Sequence, residues 1–83
     1  MAENRYPEFD NTQKSIEIGY NIAYYRKYTG LTQEQLAERV GISRQHIGAI
    51  EAPNLCRPIS LDLLFNIAAG LNVEPAKLLT FRE

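Results

Sequence analysis

Apolar positions along the chain recur at helical spacing from Ile16 onward, and no stretch alternates apolar and polar in the period-two manner of a half-buried strand. Ile18, Ile22 and Tyr25 fall at i, i+4 and i+7 on one face of a first helix, which Gly30 stops after Thr29. A second helix starts in Leu31-Thr32-Gln33-Glu34-Gln35-Leu36. Thr32 offers a capping hydroxyl, Gln35 stands three residues on as a capping box requires, and Leu31 and Leu36 are spaced as a hydrophobic staple. Leu36, Ala37 and Val40 then face inward, and Gly41 supplies the left-handed backbone that ends the helix. Ser43 caps a third helix at once, with Ile42 and Ile47 as its staple. Ser60 opens a fourth, with Asp62 in the first turn where the helix dipole favours an anion; its apolar stripe is Leu61, Leu64, Ile67, Ala68 and Leu71. Pro75, at a first helical position, begins a fifth, stapled by Val73 and Leu78. The pattern predicts an all-α bundle of five helices. Residues 1–14 show no period and mix Pro7, Asn4, Asn11 and charges with Tyr6 and Phe9, so a flexible N-terminal arm is expected there, ahead of one domain over residues 15–83.

The second and third helices are separated by so short a turn that they must cross steeply. With Ile47 and Ile50 placed inward, a helix turning about 100° per residue points Gln45 and Ala49 outward, with Ala52 close by. His46 and Gly48 flank that face, and Arg44 reaches it from the first turn. The face is thus polar at its start and trimmed to small residues further on. Such trimming suits a helix that enters a DNA major groove ~12 Å wide. Gln45 can pair with adenine through two hydrogen bonds, Arg44 with guanine, and Ala49 can touch a thymine methyl. The same residues also suit a second arrangement, in which Gly48-Ala49 packs closely on another helix and Arg44, Gln45 and His46 are merely solvated. The helix start at Thr32 and Gln33 favours the first, because free N–H groups there point where a phosphate would lie.

Composition changes this picture only slightly. The 83 residues are 45% hydrophobic and 23% charged, as in a globular domain. Net charge is −1, which gives nucleic-acid binding no support as a property of the whole chain. Its distribution is more informative: residues 19–59 carry Arg26, Lys27, Arg39, Arg44 and Arg57 against Glu34, Glu38 and Glu51, a mildly basic middle between two acidic ends. Cys56 stands alone, which excludes an internal disulfide and fits a reducing cytoplasm. With His46 also alone, no zinc site or other cofactor is expected, and His46 reads as a polar surface residue. No apolar run reaches the ~18 residues of a membrane span, and the start lacks a signal peptide's features. A nucleophile–base pair, an enclosed carboxylate dyad and a phosphate-cradling loop are all missing, so neither an enzyme nor a small-molecule substrate is expected.

The run Gly30-Leu31-Thr32-Gln33-Glu34-Gln35-Leu36-Ala37, through Gly41-Ile42-Ser43 to Ile47, Ile50 and Glu51, strongly resembles the Cro/C1-type helix-turn-helix family, the lambda-repressor-like or XRE-type DNA-binding domains. The likeness extends from about Ile18 to Leu79 and includes Pro58, Ser60-Leu61, Leu64, Ile67-Ala68, Leu71, Val73 and Leu78. The resemblance implies that Gln33 holds a phosphate and braces the reading helix. It likewise implies that Ser43 opens that helix, that Arg44, Gln45 and His46 contact base edges or adjacent backbone, and that Ala49 faces the groove. Arg26 and Glu51 match a pair that in some members ties the first helix to the end of the third. One departure stands out: Ala52-Pro53 replace the polar or basic residue and glycine that usually follow the glutamate. Proline cannot take a left-handed backbone, so the loop Ala52–Pro58 must exit differently, with Asn54 and Arg57 as candidate replacements for its phosphate contacts.

Together these features predict a sequence-specific regulator of transcription, cytoplasmic, acting on double-stranded DNA as a homodimer. A twofold dimer sets two reading helices ~34 Å apart and predicts a palindromic site. Leu63, Phe65 and Phe81 are hard to bury all together in so small a bundle, and some of them are expected to form a homodimer contact with the last helix. Tyr24 and Tyr28, at i and i+4, are expected to cover neighbouring core rather than to meet a partner. The alternative, prompted by the neutral charge and the Ala52-Pro53 loop, is a protein-interaction module that keeps the fold without specific DNA binding.

Overall fold

A computed structural model describes residues 9–55 and 58–81 of the chain. Its helices run in the order α1 (Thr12–Thr29), α2 (Gln33–Val40), α3 (Arg44–Glu51), α4 (Leu61–Leu71) and α5 (Pro75–Leu78), with no strand among the described residues. The fold is the all-α, five-helix bundle that the apolar spacing predicts.

The helix ends follow from local chemistry. Thr32 Oγ1 accepts the Gln35 N–H at 3.0 Å while Gln35 Oε1 accepts the Thr32 N–H at 2.8 Å, completing the capping box at α2. Ser43 and Ser60 cap α3 and α4 in the same way, accepting N–H bonds from His46 and Leu63. Gly41 ends α2 at φ 85°, on the left-handed side where a side chain is strained. Asn72 does the same for α4 at φ 59°, a stop that its sequence context did not reveal. α1 begins at Thr12, so Thr12, Gln13 and Lys14 are helical rather than part of an arm. The extra turn is polar and buries little, which is why apolar spacing misses it. Asp10 Oδ1 accepts the Thr12 N–H at 3.0 Å, and Gln13 Nε2 donates to Glu17 one turn on. The Thr12 hydroxyl and N–H together hold the Asp10 carboxyl below its ordinary pKa. The remainder of the expected arm, residues 1–8, lies outside the described residues.

The core is one cluster drawn from every helix: Ile22, Leu36, Ile47, Leu64, Ile67, Leu71 and Leu78 are fully buried, with Ala37, Ile50 and Ala68 beside them. Each large aliphatic contributes about 1.5–3 kcal/mol on burial. Two expectations fail at the margins of this cluster. Leu61 is 65% exposed, because the first residue of α4 sits at the edge of the stripe. Tyr28 is 81% exposed and stacks on Tyr24 instead of covering core, the ring centroids 6.3 Å apart. Leu63 packs against the core and Phe81 is half-buried, leaving Phe65 as the most exposed of the three residues assigned to a dimer contact.

Two glycines set how closely the helices cross. A Cβ at Gly19 would fall on the main-chain carbonyl of Ile50, so α1 and α3 touch through backbone. A Cβ at Gly70 would meet the side chains of Val40 and Leu36 at 3.2 and 3.3 Å, where α4 lies on α2. The buried amide of Asn21 donates to the carbonyls of Leu78 and Thr80 at 3.0 and 3.1 Å and ties the end of α5 to α1. With its inner side pinned this way, α3 has its opposite side turned to solvent.

Gly19→Ala is therefore expected to lower the free energy of unfolding by about 1–3 kcal/mol, despite alanine's advantage of about 1 kcal/mol within a helix. Urea denaturation followed by circular dichroism checks this, and a Gly19→Ala variant as stable as the parent would contradict the close crossing.

Candidate nucleic-acid interface

α3 and the start of α2 share one corner of the molecule. Along α3, Ile47 and Ile50 are buried, Arg44 and Gln45 are exposed, and His46, Gly48 and Ala49 are half-exposed. Ser43, Gln45, His46 and Ala49 line an open, shallow depression of about 320 Å³. Among the described residues, a Cβ at Gly48 would meet only the side-chain ends Gln33 Oε1 at 3.6 Å and Arg44 Nη1 at 4.0 Å, at ordinary contact distance and with no helix backbone close by. Gly48 is thus not a close-packing position; the glycines that do pack closely on another helix are Gly19 and Gly70.

Behind this face lies a chain of hydrogen bonds centred on Glu51. Its carboxylate accepts Arg26 Nε on Oε2 at 2.7 Å and Arg26 Nη2 on Oε1 at 2.9 Å, a bidentate pair whose side chains are only 10% and 6% exposed. The remaining arm of the guanidinium donates to the Leu31 carbonyl at 2.8 Å, where α1 gives way to α2. Bonding to Glu51 raises the Arg26 pKa against the opposing effect of burial. Glu51 Oε1 also accepts Gln33 Nε2 at 3.0 Å, and Gln33 Oε1 accepts Arg44 Nη1 at 3.1 Å. The half-buried Gln33 amide is therefore engaged at both ends, between the base of α3 and its exposed first residue.

The other candidates lie outside this network. The hydroxyls of Thr32 and Ser43 are exposed and serve as cap acceptors, which leaves each hydroxyl its own proton to donate. α3 stops at Glu51, and Ala52 is its extended C-cap rather than a further groove-facing position. Pro53 then makes the exit from α3 a tight turn, closed by the Leu55 N–H on the Ala52 carbonyl at 3.2 Å, with Asn54 exposed at its tip. Arg57 lies outside the described residues. Family resemblance gave Gln33 as a brace of α3 without naming its partners, which are Glu51 and Arg44, and sequence reasoning missed the Asn21 tie. Gly19 had a signal, since glycine inside a helix costs stability and implies a close approach. Among the described residues no group of His, Cys, Asp and Glu is arranged to hold a metal ion, and no helix is long and apolar enough to cross a membrane.

Comparison with known proteins places this geometry. The helix-turn-helix family model (HTH_3) matches residues 22–78. The control protein C.SmaI of Serratia marcescens is 42% identical over 63 residues, which span 76% of this chain and 73% of that protein. An uncharacterised HTH-type transcriptional regulator of Methanothermobacter thermautotrophicus is 63% identical over 53 residues, covering 64% of this chain and 74% of its own. The crystal structure of the restriction-modification controller protein C.AhdI from Aeromonas hydrophila superimposes with a TM-score of 0.77 at 30% identity, over 84% of this chain and 99% of that one.

Removing one partner of the Arg26–Glu51 pair strands a buried charge. Glu51→Ala is expected to lower the unfolding free energy by about 3–5 kcal/mol, measured by chemical denaturation. A loss below about 1 kcal/mol would mean that the pair behaves as an exposed one.

Proposed function

The chain belongs to the Cro/C1-type helix-turn-helix family of DNA-binding transcription regulators, and from that premise we propose that it reads a specific operator with α3 in the major groove, as a homodimer. The observation that carries this reading is the bare outer side of α3, where Gln45, His46 and Ala49 surround an open depression and Gly48 adds no side chain. In this role Gln45 makes two hydrogen bonds with an adenine edge, Arg44 addresses guanine, and Ala49 touches a thymine methyl. His46 flanks the same edge. The start of α2 directs free N–H groups outward beside the Thr32 hydroxyl, and Ser43 repeats the arrangement at α3, so both helix starts are suited to phosphate. Gln33 retains the amide proton not given to Glu51 for the same phosphate row. Asn54, on the turn after α3, and Arg57 complete the backbone contacts.

A homodimer is supported by charge and by surface. With a net charge of −1, one copy neutralises few phosphates, and two copies on a twofold site double the contacts. Leu61, Phe65 and Leu79 remain 65%, 48% and 46% exposed on α4 and just after α5, apolar area that a second copy would cover. The likeness to the control protein C.SmaI and to the restriction-modification controller protein C.AhdI supports a regulatory role.

Selection of bound duplexes from a random pool tests the reading. The expected product is a palindrome with half-sites about one helical turn apart, bound with an affinity that falls steeply with salt. Gln45→Ala is expected to erase ~1–3 kcal/mol of discrimination at one base pair of each half-site. No enrichment over random duplexes at low salt would overturn the reading in favour of a module that binds protein.

A further inference from the structure

Glu51 lies at the inner end of α3, away from the groove-facing side chains, yet it is two hydrogen bonds from Arg44. The bonds have a fixed polarity. A carboxylate only accepts, and an arginine only donates; a glutamine amide has one end of each kind. Because Glu51 Oε1 faces Gln33 at 3.0 Å, the Gln33 NH2 must turn toward it. The Gln33 carbonyl is then forced outward, where it accepts Arg44 Nη1 at 3.1 Å. Arg26 holds the carboxylate in place from the other side through two bonds, so the acceptor cannot rotate away. The junction lies beside Gly48, whose would-be Cβ site is 3.6 Å from Gln33 Oε1 and 4.0 Å from Arg44 Nη1.

We propose that Glu51 is a positioning residue for base recognition: through Gln33 it fixes the orientation of the Arg44 guanidinium and so sets the base-pair preference that Arg44 confers. This rests on the regulator reading above and extends it to a residue that touches no DNA. One arm of the guanidinium is held by the Gln33 carbonyl, which restricts the orientations open to the rest of the planar fork. An arginine held this way loses less freedom on pairing than one that is free to swing, and its fork geometry favours a guanine edge over a point-charge contact. Glu51→Gln disturbs the polarity with little change of shape. One carbonyl oxygen then replaces two carboxylate oxygens for three donors, and an NH2 turned toward Gln33 would flip that amide to present donors to Arg44. Gln33→Met removes the relay itself and leaves the Arg26–Glu51 pair intact.

The test measures relative affinity for every single-base-pair change in the selected duplex, for the parent and for Arg44→Ala, Glu51→Gln and Gln33→Met. Arg44→Ala identifies the base pair that Arg44 reads, where the parent is expected to discriminate by about 5-fold or more. At that same base pair Glu51→Gln and Gln33→Met are each expected to reduce discrimination to about 2-fold or less, while the preference conferred by Gln45 persists. Adding Glu51→Gln to Arg44→Ala is expected to cause no further relaxation there. Uniform weakening at all base pairs, with Arg44's preference intact, would overturn the proposal and leave Glu51 as a brace of the fold only. If Glu51→Gln fails to fold, Gln33→Met decides alone: an unchanged preference at Arg44's base pair overturns the relay. A parent chain that selects no sequence overturns the regulator reading itself, an outcome distinct from specific binding whose profile ignores the relay.

Discussion

A single carboxylate, that of Glu51, joins the parts of this domain that must keep their relation for a helix to be offered to DNA. Arg26 grips it from α1, Gln33 leans on it from α2, and it belongs to the last residue of α3. The same Arg26 holds the Leu31 carbonyl, so the link between α1 and α2 is fixed by the side chain that fixes α3. Burying such a pair is costly, because both charges leave water. The cost is offset by the bidentate geometry and by the completeness of the network: among the described residues no buried side-chain nitrogen or oxygen is left without a partner. A buried pair of this kind adds little net stability over an apolar replacement, yet its geometry constrains how the helices that carry it can sit. Here, through Gln33, the constraint extends to the crossing of α2 and α3.

The apolar core cannot define that crossing unaided. A cluster of aliphatic side chains tolerates small slides at little cost, since packing is nondirectional. Direction comes from features that admit one answer. The main-chain contact at Gly19 sets the depth at which α3 lies against α1, the tight approach at Gly70 seats α4 on α2, and the Asn21 amide fastens the chain's last described turn. Together with the Glu51 network they leave α3 immobilised on its inner side and free on its outer side. In the role proposed for α3, a surface held in place beforehand loses little entropy on binding, which matters for a chain with so little positive charge to contribute.

What was legible in the sequence is what depends on near neighbours. The Thr32–Gln35 box, the serine caps and the glycine stop of α2 each join a side chain, or the lack of one, to its own stretch of backbone, and local spacing reveals them. The outer face of α3 was legible for a related reason: once Ile47 and Ile50 are inside, helical geometry decides the rest. Contacts between distant residues were not. Gln33 and Glu51 are 18 positions apart, and Asn21 and Leu78 are 57 apart, so neither pairing leaves a periodic trace. The Arg26–Glu51 match came from family resemblance alone. Leu61 and Tyr28 were misplaced because the margins of an apolar stripe are buried or exposed according to neighbours that spacing does not identify. The first turn of α1 was missed because its bonds are polar and exposed.

The most direct test is a nitrogen–proton correlation spectrum recorded while a duplex enriched by selection is added to the labelled protein. The account predicts that the largest shifts fall on the Arg44, Gln45, His46 and Ala49 amides and on the Gln45 and Arg44 side-chain N–H groups. The Arg26 Nε–H signal, buried against Glu51, should keep its position throughout the titration. Shifts centred on the tyrosine face of α1, or on α4 and α5, with α3 silent, would contradict it.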